Sequence, residues 1–595
     1  MKHLSYLNKY LWKYRYRLFL GVIFVVISNY FNVLSPQVIR YSFDLVQENI
    51  AYYQMFDGFA LQENFRTVFS AGLLFTGIVV LLLAILKGVF MFFMRQTIIV
   101  MSRLIEYDLK NELYAHYQEL DLAFYKRNNT GDMMSRISED VSRVRDYLGP
   151  AFMYGINLLV LFVMVTYAMI NVSPTLTLWV LTPLPLLSIS IYYINTIINK
   201  RSEKIQEQLS FLTTNAQETY SGIRVIKSFV QEKQMHRFFE RESDNYKETS
   251  LRLARVEAFF FPLMLLLIGI STILTIYVGG MGVINGSLTP GNVAEFVIYV
   301  NMLTWPVTAI GWVASMTQRA AASQKRINAF LEVKPTIANP TEEPLDLKGN
   351  IEFRNVSFTY PDTGIVALKD VSFTLKSGEK MAIVGRTGTG KTTIADLLMR
   401  MYDTTSGQIL LDGKLLTEVN LGGIRSQIGY VPQDVFLFSD TVAENIAFGT
   451  ANFEHHKIEE AALNAAIHED IMALPLGYET LVGERGVTLS GGQKQRISIA
   501  RAFVKDPRIL VLDDCLSAVD ARTEKLILKN LKTILEAKTA IIITHRISSL
   551  LEFDKIIVLD EGRIAETGTH ESLMATKGLY CEMFERQQQE ETVAN

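Results

Sequence analysis

The sequence is poor in cysteine: of its 595 residues, two carry a thiol, Cys515 and Cys581. Two cysteines cannot build a disulfide framework, and both lie in the polar half, which points to a reducing cytosolic setting for that half. An excess of positive charge is also missing. Lysine and arginine number 58 against 61 aspartates and glutamates, a net charge of −3, so a nucleic-acid partner has no electrostatic footprint to rest on. What the chain has in quantity is apolar side chains, 49% of the total with 34 phenylalanines, crowded into the first 316 residues. A purely soluble protein is thereby excluded. The composition is half membrane and half soluble.

Six stretches are long and apolar enough to cross a hydrocarbon core, which takes roughly 20 helical residues. They lie near 18–38, 69–94, 151–171, 174–197, 258–283 and 290–316. The first follows a basic segment, but its apolar core is too long for a signal peptide and no small-residue cleavage site follows it, so it is expected to stay in the mature protein. Lys2, Lys9, Lys13, Arg15 and Arg17 precede it without an acid, whereas residues 39–68 carry Arg40 and Arg66 against Asp44, Glu48, Asp57 and Glu63. Lysine and arginine collect on the cytoplasmic side, which places the N-terminus inside.

The connections then alternate. Asn171–Ser173 and the turn around Gly286 are short and uncharged, as outer turns should be. Residues 95–150 hold eight bases and nine acids, and 198–257 hold eleven and nine, so both are water-exposed and cytoplasmic. Each reads as two long helices meeting at a tip, because a helix of about 25 residues reaches about 38 Å. The breaks are expected near Asn128-Asn129-Thr130-Gly131 and Ser221-Gly222. Lys87, inside the second span, is expected to snorkel to the cytoplasmic face. Glu295, Asn301 and Asn157 mark either a substrate pathway or a polar contact between helices. Pro183, Pro185, Pro262 and Pro306 can kink their helices, a common feature of membrane proteins that decides nothing further.

From Lys334 to Gly349 the chain contains Pro335, Pro340 and Pro344, which oppose helix and central strand alike and mark a domain boundary. Beyond it, strand-like and helical runs alternate. Met381–Val384 reads as a short apolar strand, followed by Gly385-Arg-Thr-Gly-Thr-Gly390-Lys391-Thr392 and a helix from Thr393. This is a phosphate loop in its required strand–loop–helix setting. Glycines let backbone N–H groups turn toward phosphates, Lys391 adds a cation, and Thr392 offers a hydroxyl to Mg²⁺. Ile509–Leu512 reads as a buried strand ending in Asp513, a carboxylate able to hold Mg²⁺, mostly through water. Between the two, Leu489-Ser490-Gly491-Gly492-Gln493 opens an arginine-rich helix and forms a second, spare anion cradle.

Carried by these motifs, residues 350–585 resemble the nucleotide-binding domain of an ABC (ATP-binding cassette) transporter, and the whole chain resembles an exporter-type half-transporter of the multidrug and lipid exporter group. The fold class implied is multidomain: an all-α transmembrane domain of six helices with long cytoplasmic extensions (1–333), a linker (334–349), an α/β cassette of the phosphate-loop class (350–585) and a polar tail (586–595). The resemblance assigns ATP to Gly385, Arg386, Thr387, Gly388, Thr389, Gly390, Lys391, Thr392 and Thr393, with Tyr360 stacking on adenine. Mg²⁺ falls to Thr392, Gln433 and Asp513, Gln433 also sensing the γ-phosphate. Ser490, Gly491, Gly492 and Gln493 match the signature that closes on ATP held by another subunit. Asp520 matches the loop linking two sites, and His545 the switch histidine bonded to the γ-phosphate. Phe124–Asp132 and Glu218–Phe229 resemble two coupling segments, and Gly483-Glu484-Arg485-Gly486 the loop that joins cassette to stalk.

One position departs from the pattern. The family usually has glutamate after the strand-ending aspartate, to orient or deprotonate the attacking water; here that residue is Asp514. A side chain one methylene shorter is expected to sit out of reach, and general-base assistance is worth roughly 10²- to 10⁴-fold, so hydrolysis at this site should be slow. Such degeneration resembles one chain of a heterodimeric exporter. The implied function is ATP-driven export of a hydrophobic or amphipathic drug or lipid, in partnership with a second half-transporter and membrane lipid, without nucleic acid. A homodimeric lipid exporter and an ABC-type channel or regulator share this architecture, while a soluble ABC ATPase would lack the spans. The short N-terminus leaves no room for a peptidase domain and shows no transit segment, which favours a prokaryotic cytoplasmic membrane with the cassette inside.

Overall fold

The computed structural model describes residues 2–594 apart from 56, 60, 451–453, 484, 485, 487, 517, 518, 520, 537 and 546–552. Two compact units result, one made of residues 1–117 and 131–333, the other of 118–130 and 334–595.

The first unit is helical throughout. Five of its helical runs are long and apolar enough to cross a membrane: Arg15–Met55, Leu61–Glu119, Thr130–Val172, Glu232–Ile284 and Pro290–Leu331. The remaining expected span, near 174–197, is divided between Pro174–Leu181 and Pro183–Ser221. Thr182 between them keeps helical angles (φ −54°, ψ −40°) and donates to the Leu178 carbonyl, so the break is local to Pro183, which has no N–H to give. Ser173 caps the start of this run, accepting from the Leu176 N–H. Thr289 and Asn292 form a reciprocal capping box where Pro290–Leu331 begins. The run Thr130–Val172 contains two wide π turns, Arg136–Asp140 and Tyr147–Ala151. The second includes Pro150, again a position with no amide to donate.

The long cytoplasmic helices do break where turn residues cluster, and each break encloses a short helix, Leu122–Arg127 in one and Ile223–Ser228 in the other. Intramembrane polar groups pair across helices. Asn29 donates to the Asn157 side chain at 2.8 Å, which assigns Asn157 to a contact between spans one and three. Lys87 does not snorkel: its ammonium donates to Asn32 Oδ1 at 2.8 Å, because a partner on the neighbouring helix removes the cost that snorkelling would avoid. Asn301 turns its amide onto its own helix, at the Val297 carbonyl. Glu295 is fully buried, accepting from Arg40 (3.1 Å) and from the Tyr299 hydroxyl (2.9 Å), so spans one and six are joined by an ion pair.

The second unit contains ten strands among its described residues: β1 (Ile351–Thr359), β2 (Val366–Leu375), β3 (Lys380–Gly385), β4 (Ser406–Leu411), β5 (Lys414–Leu415), β6 (Ile428–Val431), β7 (Ile509–Asp513), β8 (Thr539–Ile543), β9 (Lys555–Asp560) and β10 (Arg563–Gly568). Strands β2-β1-β4-β5 form an antiparallel sheet, and β10-β9-β3-β8-β7-β6 form a larger one in which β9, β3, β8, β7 and β6 are parallel. β7 and β8 are buried along their whole length, as strands covered on both faces are. β3 and β7 therefore present their C-terminal ends, Gly385 and Asp513, on the same edge, where ligands of open parallel sheets bind. The segment 118–130 folds into this unit: Leu122 and Ala123 pack against its core, and Asp121 caps the helix Leu122–Arg127 while also accepting from the Thr336 N–H.

The Arg40–Glu295 pair is open to a direct test. Arg40→Ala strands a buried carboxylate and is expected to cost about 3–5 kcal/mol, read as lower membrane yield and a lower thermal-inactivation temperature. Arg40→Met combined with Glu295→Met should recover most of the loss, since no charge is then left unpaired.

Candidate nucleotide site

The loop after β3 is shaped by backbone angles that few residues tolerate. Gly390 has φ +96°, and a side chain there would collide with the Ala367 carbonyl oxygen. Gly385, with φ +156°, would likewise run into the Leu559 carbonyl. The helix that follows starts at Lys391, two residues before the expected Thr393, because Gly390 serves as its left-handed N-cap and leaves the first helical amides free for an anion. Thr389 donates its hydroxyl to the Arg386 carbonyl and braces the loop. Lys391 is 6% exposed and donates to the carbonyls of Gly385 (2.9 Å) and Arg386 (2.8 Å). Burial lowers its pKa, with Asp514 and Asp513 pulling the other way.

Asp513 ends β7 directly across from this loop. It is 1% exposed, and neither carboxylate oxygen has a hydrogen-bond partner of normal geometry among the described residues. Burial pushes its pKa up to about 6, against Thr392 and Lys391 and with Asp396 and Asp514 adding to the rise. A buried carboxylate beside a threonine hydroxyl at a phosphate loop fits a magnesium ion, which prefers carboxylate and hydroxyl oxygen. Thr392 and Asp513 are therefore the residues that would hold it, with Gln433 exposed on the loop after β6.

Asp514 takes a left-handed conformation (φ +44°), one that aspartate adopts more readily than most residues, and its N–H donates to Ile543 at the end of β8. Its Oδ2 stands 3.5 Å from Gln433 Nε2. His545, just past β8, lies within electrostatic reach of both Lys391 and Asp514. Burial and Lys391 lower its pKa, so the ring is neutral at pH 7 and can offer one N–H donor. Gln587 donates to the His545 carbonyl and fixes its backbone. The structure thus brings Gln433, Asp514, His545, Lys391, Thr392 and Asp513 around one sheet edge.

Tyr360 stands at the other end of the phosphate loop, its hydroxyl 2.9 Å from Thr393 Oγ1. Ser490 to Gln493 are elsewhere in the unit. Ser490 caps the helix Gly491–Phe503 through a reciprocal box with Gln493, whose amide also donates to Asp470 at 3.0 Å. Arg496 reaches the same carboxylate at 2.8 Å, so the signature helix is pinned to His468–Met472. Ser490 and Gly491 are exposed, so the amides that open this helix are accessible to an anion. Asp520, Glu484 and Arg485 lie outside the described residues.

Two residues escaped the motif reading. Asp396, on the helix after the loop, is 9% exposed, and burial raises its pKa to about 6 against the pull of Lys126. The signal for it is a lone acid inside Ile394-Ala-Asp-Leu-Leu398. Arg501 donates to the carbonyls of Asn445 (2.7 Å) and Phe436 (3.0 Å), stiffening the segment that follows Gln433. Burial lowers its pKa to about 10.

Comparison with known proteins agrees with this geometry. Residues 18–307 match the ABC transporter transmembrane region, and 368–517 match the ABC transporter family domain. A probable multidrug resistance ABC transporter ATP-binding/permease protein of Bacillus subtilis (YheI) is 40% identical over 82% of this chain and 84% of its own length. The multidrug resistance-like ATP-binding protein MdlA of Escherichia coli is 39% identical over 81% of this chain and 82% of its own. Among solved structures, a bacterial Atm1-family ABC exporter with ATP bound superposes with a TM-score of 0.74 at 26% identity, covering 96% of this chain and 99% of that one.

Two outcomes are expected of the loop and its supports. Gly390→Ala should abolish nucleotide binding in an equilibrium titration, because both the backbone angle and the Ala367 carbonyl forbid the side chain. Asp396 has a raised folded-state pKa, so its ionised form subtracts stability, an effect absent below about pH 4 and complete above about pH 6. Asp396→Asn should therefore raise the thermal-inactivation temperature of the nucleotide-free chain at pH 7.5, by up to about 3 kcal/mol of stability. The gain should shrink toward pH 5.

Proposed function

The chain belongs to the ABC transporter family, with a transmembrane region fused to an ATP-hydrolysing cassette that drives export across the cytoplasmic membrane, and from that premise we propose that it is one half of a heterodimeric exporter whose own ATP site hydrolyses slowly. The observation that carries this reading is Asp514, a short acid at the position after Asp513, whose Oδ2 stands 3.5 Å from Gln433 Nε2. The cargo we propose is a hydrophobic or amphipathic drug or lipid. The multidrug names of the two bacterial relatives support that class.

In this reading the phosphate-loop amides and Lys391 hold the β- and γ-phosphates of ATP, and Tyr360 stacks on the adenine. Thr392 and Asp513 would hold Mg²⁺, which would supply positive charge against that of the phosphates, and Gln433 would help to hold it and orient the attacking water. His545, neutral, donates one ring N–H to a γ-phosphate oxygen. Water attacks the γ-phosphorus, the bond to the β–γ bridging oxygen breaks, and the water's proton passes to the nearest base. With a glutamate that base would be in reach; with Asp514 it is displaced by a methylene, and the step loses most of its assistance.

The signature Ser490-Gly491-Gly492-Gln493 is complete and pre-organised by its cap, so this chain can finish a competent site on a partner that supplies the glutamate. ATP then drives transport by binding the closed pair of cassettes better than the open pair.

The purified single chain is expected to bind ATP yet turn it over slowly, with Asp514→Glu raising the rate by about 10²-fold or more. Brisk turnover by the unaltered chain without a partner would overturn the heterodimer and leave a homodimer in which aspartate suffices. Affinity purification from the native membrane should bring down a second, glutamate-bearing half-transporter.

A further inference from the structure

Tyr360 is held by more than its hydroxyl. The Phe358 ring stands nearly perpendicular to it at 4.9 Å and 79°, the Tyr402 ring at 5.6 Å and 88°, and the bond to Thr393 ties the hydroxyl. Lys126 lies over the Tyr360 ring, its ammonium 5.1 Å from the centroid. The same ammonium is 5.4 Å from the Tyr402 ring, and the buried Tyr402 hydroxyl has no hydrogen-bond partner of normal geometry among the described residues. Burial works against the charge on Lys126, but Tyr402, Tyr360 and Asp396 together hold its pKa above the ordinary value.

Lys126 does not come from the cassette sequence. It is on the helix Leu122–Arg127, fastened by the Asp121 cap on Phe124, by the bonds from Thr336 to Asp121, and by Leu122 and Ala123 packed against the core. We propose that Lys126 is a positioning residue for nucleotide, acting through Tyr360: the ammonium on one face of the ring strengthens adenine stacking on the opposite face, and base occupancy is thereby felt by the helix Leu122–Arg127. The physical basis is electrostatic. A cation over one face draws π density toward itself and leaves the other face less negative, which lowers its repulsion with the π cloud of a purine. Coupling is reciprocal, so a base that tightens the sandwich also tightens the hold on Lys126 and on the helix that carries it. The inference deepens the proposed function and rests on Tyr360 being the adenine platform.

The test is calorimetric titration of the full-length chain in detergent with Mg·ATP and, separately, with magnesium tripolyphosphate, which has no base. Lys126→Met is expected to weaken ATP by about twofold to fivefold, since the contact is present without nucleotide and only its strengthening on base stacking enters the affinity, while leaving tripolyphosphate unchanged. Lys126→Arg, which keeps the charge, should stay near the unaltered chain and shows that the helix still docks. In a Tyr360→Leu background, Lys126→Met should have no further effect. Equal weakening of both ligands, no weakening of ATP, or a loss that persists without the Tyr360 ring would each overturn the inference alone. Failure of the unaltered chain to bind ATP would overturn the reading of Tyr360 along with it.

Discussion

A lysine and an aspartate, both more than nine-tenths buried, end up side by side at one edge of a parallel sheet, and most of the second unit is arranged around that fact. Neither is neutralised by the other in a closed ion pair. Lys391 is bonded to two loop carbonyls, and Asp513 has no hydrogen-bond partner of normal geometry among the described residues. Isolated buried charges are costly, so a fold that keeps them there needs a ligand carrying charges of both signs to satisfy them. A polyphosphate with its magnesium ion is such a ligand. The sheet supplies the rigidity: β3 and β7 are packed on both faces, and the ends of two such strands move little with respect to one another.

The membrane half solves the same problem within itself. A carboxylate and an ammonium in a hydrocarbon span are tolerable when each meets a partner on another helix, and Glu295 with Arg40 and Lys87 with Asn32 are placed so. These contacts also specify which helix lies beside which, a task that apolar side chains do poorly when lipid is as apolar as the protein. Asn29 with Asn157 adds spans one and three to that pattern. A polar group at mid-span therefore need not mark a path for cargo.

Much of this was legible in the chain because the signals were redundant. Hydrophobic length located all six stretches, charge alternation the cytoplasmic helices, and asparagine and glycine their breaks. The division of the stretch near 174–197 into two helices comes from Pro183. The phosphate loop, Asp513 and the capped signature could be read directly, since glycine, lysine and serine at fixed spacing have few other uses. The direction of the Lys87 side chain could not, because snorkelling and pairing leave the same local sequence and differ only in what a distant helix presents. The contact of Lys126 with Tyr360 was invisible for the same reason: the coupling segment that carries Lys126 lies far from Tyr360 in sequence and close to it in space. Asp396 carried a faint sign as an acid in an apolar helix, but nothing local says that it faces inward.

The segment 118–130 shows why such distant contacts matter to the mechanism. By covalent continuity it follows the helix Leu61–Glu119, which contains the second span, and by packing it belongs to the unit that holds the phosphate loop. A short helix with its cap tied to Thr336 and two apolar residues packed against the core is not a loose tether. Energy released when nucleotide binds can pass to such an element only if it makes different contacts in the bound and free states, since equal contacts shift no equilibrium. Apolar packing at Leu122 and Ala123 fixes the helix to the core in either state. A charge on an aromatic face differs, because its strength depends on what lies against the other side of the ring. Among the described contacts of this segment, the one at Lys126 lies against the proposed adenine platform, and its energy would change with the base.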